Sequence, residues 1–115
     1  MESGDYKFET YREVKDMKQD YAAEIRGFEQ NMIAEEKSAA TIDKYLRDVH
    51  GFCSHLSGRR ISKEETVAYK EDLTSRYAPA SVNSMLIAIN RFLRFIGLPD
   101  CCVRPLKIQR QIFCN

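Results

Sequence analysis

The sequence predicts an all-α fold, a bundle of four to five short helices within one domain of 115 residues. Three observations point there. Apolar residues recur at three- and four-residue steps through four separate windows between residues 21 and 97. Residues that start or stop helices fall between those windows. No alternating strand pattern, glycine-rich phosphate loop or internal repeat interrupts them.

Residues 1–20, "MESGDYKFETYREVKDMKQD", are dense in charge with scattered aromatics and read as a poorly defined segment or an extra, loosely docked helix. The helical domain is expected over residues 21–97. Its first helix runs from Tyr21 to about Glu36, with Ile25, Phe28, Met32 and Ile33 on one face. Ser38 is a good N-cap for a second helix, because its hydroxyl can accept from a free first-turn amide. Ile42, Tyr45, Leu46, Val49, Phe52, Cys53 and Leu56 trace the apolar stripe of that helix, and Gly58 ends it. Gly51 inside it costs about 1 kcal/mol relative to alanine, which packing must offset. A capping box, Ser62 with Glu65, opens the third helix, where Val67, Leu73 and Tyr77 supply a thinner stripe. Pro79 forces Ala78 out of helical geometry. The fourth helix then runs to Ile96 and stops at Gly97, burying Val82, Leu86, Ile89, Phe92, Leu93 and Ile96. Residues 98–115, with two prolines and no sustained period, read as an extended linker leaving the domain.

Composition excludes several functions. No apolar run approaches the ~20 residues that span a bilayer, and the N-terminus lacks the basic start and apolar stretch of a secretory signal. A cytoplasmic protein without a membrane partner is expected. The four cysteines include an adjacent pair, Cys101 and Cys102, but no CxxC, so reduced thiols are expected rather than disulfides or zinc. His50, Cys53 and His55 lie close in sequence, but on a helix His55 points well away from His50. Two histidines and no carboxylates clustered beside a nucleophile leave little basis for an active site. No metal and no small-molecule cofactor is expected.

The net charge of +1 hides an asymmetry. Residues 1–37 hold six basic and ten acidic side chains, whereas residues 38–115 hold twelve and seven. From Pro79 onward, Arg91, Arg94, Arg104, Lys107 and Arg110 face Asp100 alone. A polyanion partner follows from this division more readily than from the whole-chain balance. On the fourth helix, Asn83, Ser84, Ile87, Asn90, Arg91 and Arg94 gather opposite the apolar stripe, with no acidic residue between Pro79 and Pro99. A merely solvated face usually mixes signs to gain weak ion pairs. Arginine forks suit phosphate oxygens, and asparagine can pair with a base edge. Thr41, Lys44 and Arg47 form a smaller polar face on the second helix, near its free N-terminal amides, although Asp43 and Asp48 dilute it and Lys44–Asp48 could be a plain surface pair.

Thr41, Ile42, Tyr45, Asp48 and Phe52 spell Thr-Ile-x-x-Tyr-x-x-Asp-x-x-x-Phe. A capped helix follows, then Ser81, Val82 and Asn83, and a helix ending in Arg91, Phe92, Leu93 and Phe95. This ordered combination over residues 20–97 resembles the N-terminal SAM-like, or core-binding, domain of tyrosine recombinases of the phage-integrase family. "RPLKIQRQIF" resembles the linker to the next domain. The resemblance implies a helical bundle forming half of a C-shaped clamp on double-stranded DNA, its second and fourth helices toward the major groove, working beside other recombinase protomers. It also implies that cleavage by a tyrosine nucleophile belongs to a separate C-terminal domain. The chain ends at Asn115, before such a domain, and the family's His-x-x-Arg is not met, since His55 precedes Arg59 by four residues. The expectation is therefore a part that binds DNA without cutting or joining it.

The expected DNA contacts are Arg91 and Arg94 first, then Asn83, Asn90, Ser81, Lys44, Arg47 and Thr41, with Arg104, Lys107 and Arg110 tracking the backbone. Two other functions fit the composition. One is a helical protein-interaction or oligomerisation module using the acidic N-terminal third or exposed Ile87 and Phe95. The other is a helix-turn-helix regulator, for which the tight turn between helices is hard to find.

Overall fold

The computed structural model describes residues 20–108, of which four α-helices make up most. They are α1 (Ala22–Ala34), α2 (Ala39–Leu56), α3 (Lys63–Arg76) and α4 (Pro79–Phe95), followed by a 3-10 turn, Pro99–Cys101. No strand occurs among the described residues. The expectations for residues 1–19 and for Arg110 lie outside them.

Local chemistry sets the helix ends. Ser38 Oγ accepts from the Thr41 amide at 3.1 Å and donates to Thr41 Oγ1 at 2.9 Å, so Thr41 takes part in the α2 cap. Ser57 and Gly58 both adopt positive φ, 50° and 86°, and turn the chain out of α2. Ser62 Oγ accepts from the Glu65 amide at 3.2 Å, which is one half of the expected capping box. The Glu65 carboxylate instead takes a fork from Arg59, Nε at 2.7 Å and Nη2 at 3.1 Å, and lies 3.3 Å from His55 Nε2. The Arg59 guanidinium holds the Glu65 carboxyl below the usual carboxylate range. Gly97, at φ 83°, ends the α4 region.

α4 is the central element, burying side chains on two sides. Val82, Leu86, Ile89 and Leu93 pack with Phe52 and Leu56 of α2 and with Tyr69 and Leu73 of α3. Phe92 packs with Ile25, Phe28 and Met32 of α1 and with Ile42 and Val49 of α2. Phe28 and Phe92 meet edge to face, ring centroids 5.4 Å apart, an arrangement the ring quadrupoles favour. Gly51 has its reason in this packing: a Cβ there would lie 2.9 Å from Tyr69 Oη.

Three expectations need correction. On α3 the buried residues are Thr66, Tyr69 and Leu73, while Val67 and Tyr77 are exposed. Thr66 tolerates full burial because its hydroxyl donates to the Ser62 carbonyl at 3.0 Å. On α1, Met32 occupies the core position and Ile33 is half exposed. The largest correction concerns the segment after Gly97. It does not leave the bundle at that point: the 3-10 turn reverses it, Val103 is buried in the α2–α3–α4 core, and Leu98 and Leu106 pack beside it.

Candidate nucleic-acid interface

Two shallow depressions line the outer side of α4 where it meets α2 and α1. The first, about 410 Å³, is bounded by Ala40, Thr41, Lys44 and Tyr45 of α2 and by Ser84 and Ile87 of α4. The second, about 360 Å³, is bounded by Phe28, Asn31, Met32 and Glu35 from α1 and its end, with Arg91, Arg94 and Phe95 of α4. Tyr45 and Arg91 join them, since the Arg91 guanidinium carbon lies 5.9 Å from the Tyr45 ring centroid. Lys44 Nζ approaches the same ring at 5.9 Å. The structure thus brings Thr41 and Lys44 onto one surface with Ser84, Ile87, Arg91 and Arg94.

The charges on this surface are unequal in freedom. Arg94 is exposed, with no carboxylate within 4.0 Å among the described residues. Arg91 is exposed and reaches Glu35 only at 3.9 Å, while Glu35 also faces Lys37 at 3.7 Å and accepts from Asn31 at 3.3 Å. An exposed pair at that separation contributes little, so Arg91 remains available to an anion. Lys44 is held: its ammonium donates to the Ser84 carbonyl at 2.9 Å and lies 2.6 Å from the Asp48 carboxylate. Asp48 is only 8% exposed, so this is not the plain surface pair that the spacing suggested.

Arg47 is exposed but lines a different cleft, about 540 Å³, between α2 and α3 with Asp72, Arg76 and Tyr77. Burial pushes the Tyr69 hydroxyl at its edge above the ordinary tyrosine value. Ser81 is exposed near the start of α4.

Asn83 and Asn90 are not free on the open face, as their wheel positions had suggested. Asn90 Nδ2 donates to the Val103 carbonyl at 2.8 Å, and its Oδ1 accepts from the Val103 amide at 3.1 Å. Asn83 does the same with Leu106, at 2.9 and 2.6 Å. Each carboxamide therefore closes a two-bond ring with one residue of the returning segment. The seven-residue Asn83–Asn90 spacing, matched to extended chain three residues apart, is the signal that could have found this. Arg104 and Lys107 are exposed on that segment.

Among the described residues, no helix is long and apolar enough to cross a membrane, and no group of three or more His, Cys, Asp or Glu side chains is placed to hold a metal. The family model for the phage integrase N-terminal SAM-like domain matches residues 25–97. No curated protein and no solved structure matches the chain.

Proposed function

Because the chain belongs to the phage-integrase family through its N-terminal SAM-like domain, we propose that the α2–α4 surface grips duplex DNA for a site-specific tyrosine recombinase. The observation that carries this reading is the junction of the two depressions at Tyr45 and Arg91, which makes one continuous surface bearing Arg91, Arg94, Thr41 and Ser84. Arginine forks complement phosphate oxygens, and hydroxyls add neutral contacts that fix register along the backbone. Ile87, 52% exposed at the centre, suits a thymine methyl in the major groove. α4 contributes no acidic side chain that would repel the duplex. Lys44 acts here through α2–α4 geometry, and its side chain lines the same depression. The role proposed is to hold DNA beside other recombinase protomers, with strand cleavage and joining carried out elsewhere in the recombinase.

A second reading, a protein-interaction module, is favoured by the exposure of Ile87 and of Phe95, 43%. One experiment separates the two. The 115-residue chain is titrated into labelled duplex at several salt concentrations, with anisotropy as the readout, beside the Arg91→Ala/Arg94→Ala variant. DNA holding predicts weaker binding by the variant and a log–log salt slope flatter by about 1–2, one unit per lost phosphate contact. An unchanged slope removes this surface from the interface. Absence of any binding, together with a stable oligomer in sizing chromatography, supports the protein-interaction reading.

A further inference from the structure

The returning segment, residues 102–107, is held by the buried Val103 side chain, by Leu106 packed beside it, and by hydrogen bonds to its backbone. Asn90 takes both polar groups of Val103, and Asn83 takes both polar groups of Leu106. From the other side, Lys70 Nζ donates to the Arg104 carbonyl at 2.6 Å and Lys63 Nζ donates to the Cys102 carbonyl. The geometry closes because the repeats match. Seven helical residues rise about 10.5 Å, and three extended residues span about 10 Å. The segment therefore runs antiparallel to α4, with Val103 as its buried anchor and the side chains of Arg104 and Lys107 exposed.

The placement of this strap relative to α4 gives it a use. At about 100° per residue, Ser84 and Arg91 lie on the α2 side of the exposed arc of α4, and Asn83 and Asn90 lie on its opposite edge, with Ile87 and Arg94 between. The strap therefore borders the proposed DNA surface on the side away from α2.

We propose that Asn83 and Asn90 are positioning residues for DNA binding: they clasp the strap so that Arg104 and Lys107 form a third, cationic border of the α2–α4 surface. The inference rests on the DNA-holding reading above. Held cations contribute more than the same charges on a loose segment, because the backbone that carries them is already ordered when the duplex arrives.

The test combines amide hydrogen exchange with duplex titration on the 115-residue chain and three variants: Asn83→Ala/Asn90→Ala, Arg104→Ala/Lys107→Ala, and all four together. A fourth variant, Leu106→Pro, removes the amide that Asn83 accepts from, together with the Leu106 side chain, at a position outside every helix. In the unmodified chain the Val103 and Leu106 amides should be protected. Asn83→Ala/Asn90→Ala should expose both, and Leu106→Pro, which leaves the Asn90 ring on Val103 in place, should lower Val103 protection only in part. Each should weaken duplex binding about three- to tenfold, a size suited to loosening two phosphate-facing cations. The decisive readout is non-additivity. Once the clasp is gone, removing Arg104 and Lys107 should cost much less than in the unmodified chain, which general loosening of the bundle would not produce. Additive losses overturn the proposal, as does unchanged affinity in the clasp variants. Protected amides without any duplex binding by the unmodified chain defeat the underlying DNA reading and this inference with it. Duplex binding with unprotected amides defeats the inference alone.

Discussion

Lys44 Nζ lies 2.6 Å from the carboxylate of Asp48, four residues along α2, and the same ammonium donates across to the Ser84 carbonyl of α4. The Asp48 contact is ionic in character and not aligned as a hydrogen bond. With Asp48 8% exposed and Lys44 31% exposed, the pair fastens the two helices that carry the proposed interface. Lys44→Ala leaves a nearly buried carboxylate unpaired. Its expected cost is about 2 kcal/mol, below the value for a fully buried pair because Lys44 keeps some water. In the Asp48→Ala background the same Lys44→Ala change should cost much less, and urea unfolding of the four proteins in this cycle measures the difference.

The contact between Gly51 and Tyr69 sets a second expectation. Alanine at position 51 gains about 1 kcal/mol of helix propensity but brings its Cβ to 2.9 Å from Tyr69 Oη. The Tyr69 ring is buried against Phe52 and His55, with centroids at 5.4 and 5.0 Å, so moving its hydroxyl toward the α2–α3 cleft disturbs both contacts. Gly51→Ala alone should destabilise by about 1–2 kcal/mol as overpacking does. In a Tyr69→Phe background, where the hydroxyl is gone, it should become neutral or stabilising. Thermal unfolding of the single and double variants checks the reversal of sign.

Which parts of this molecule were legible in the sequence follows from what periodicity encodes. The α4 core of Val82, Leu86, Ile89, Phe92 and Leu93 was legible because an apolar stripe and its burial share one period. The buried face of α3 is hidden from periodicity because it includes a threonine, and only the Ser62 carbonyl one turn back reveals how that hydroxyl is satisfied. Thr41, Lys44, Arg91 and Arg94 could be placed on helix faces, since a wheel gives an angle. It does not give the neighbour at that angle. Asn83 and Asn90 sit at the edge of the polar arc, and what occupies that edge depends on the Pro99–Cys101 turn that sends the chain back over α4. Likewise, an i,i+4 spacing announces the Lys44–Asp48 pair but not the burial of its carboxylate.

The Arg59–Glu65–His55 cluster makes stability depend on acid. Arg59 lowers the folded-state carboxyl of Glu65, and in the unfolded chain that carboxyl returns to the ordinary glutamate range. A depressed folded value means the contribution is complete above the unfolded pKa and is lost as pH falls through the folded one. The unfolded chain takes up its proton first, so stability declines from about pH 5 downward. Glu65→Gln removes this component. Urea midpoints measured from pH 3 to pH 7 should therefore fall less steeply in acid for Glu65→Gln than for the unmodified chain.

Cys53 sits half-buried against the α1 side of the core, and burial, with help from Glu24 and Asp20, pushes its thiol up to about 11. Since the thiolate is the reactive species, iodoacetamide at pH 8 should alkylate Cys53 about a hundredfold more slowly than an unperturbed thiol of pKa near 9. Peptide mapping of a timed alkylation gives the ratio directly. In urea the rate should rise to that of an ordinary cysteine, because the cause is the folded packing of α1 on α2.

Tyr45 offers the closest check on the proposed surface, because it touches cations from both helices. Its ring lies 5.9 Å from Arg91 Cζ and 5.9 Å from Lys44 Nζ, and it is half-buried where the two depressions meet. If the ring's role is to support Arg91 from below, its face matters and its hydroxyl does not. Tyr45→Phe should then keep both duplex affinity and salt slope. Tyr45→Ala should lose about three- to tenfold in affinity, corresponding to the 0.5–1 kcal/mol or more of an arginine–aromatic contact. The salt slope of Tyr45→Ala should stay within about one unit of the unmodified chain, since both arginine charges remain. A loss by Tyr45→Phe equal to that of Tyr45→Ala would instead assign the effect to the hydroxyl. That outcome would make Tyr45 itself a contact to the duplex, and duplex titration at fixed salt, run beside thermal unfolding of both variants, distinguishes the two roles.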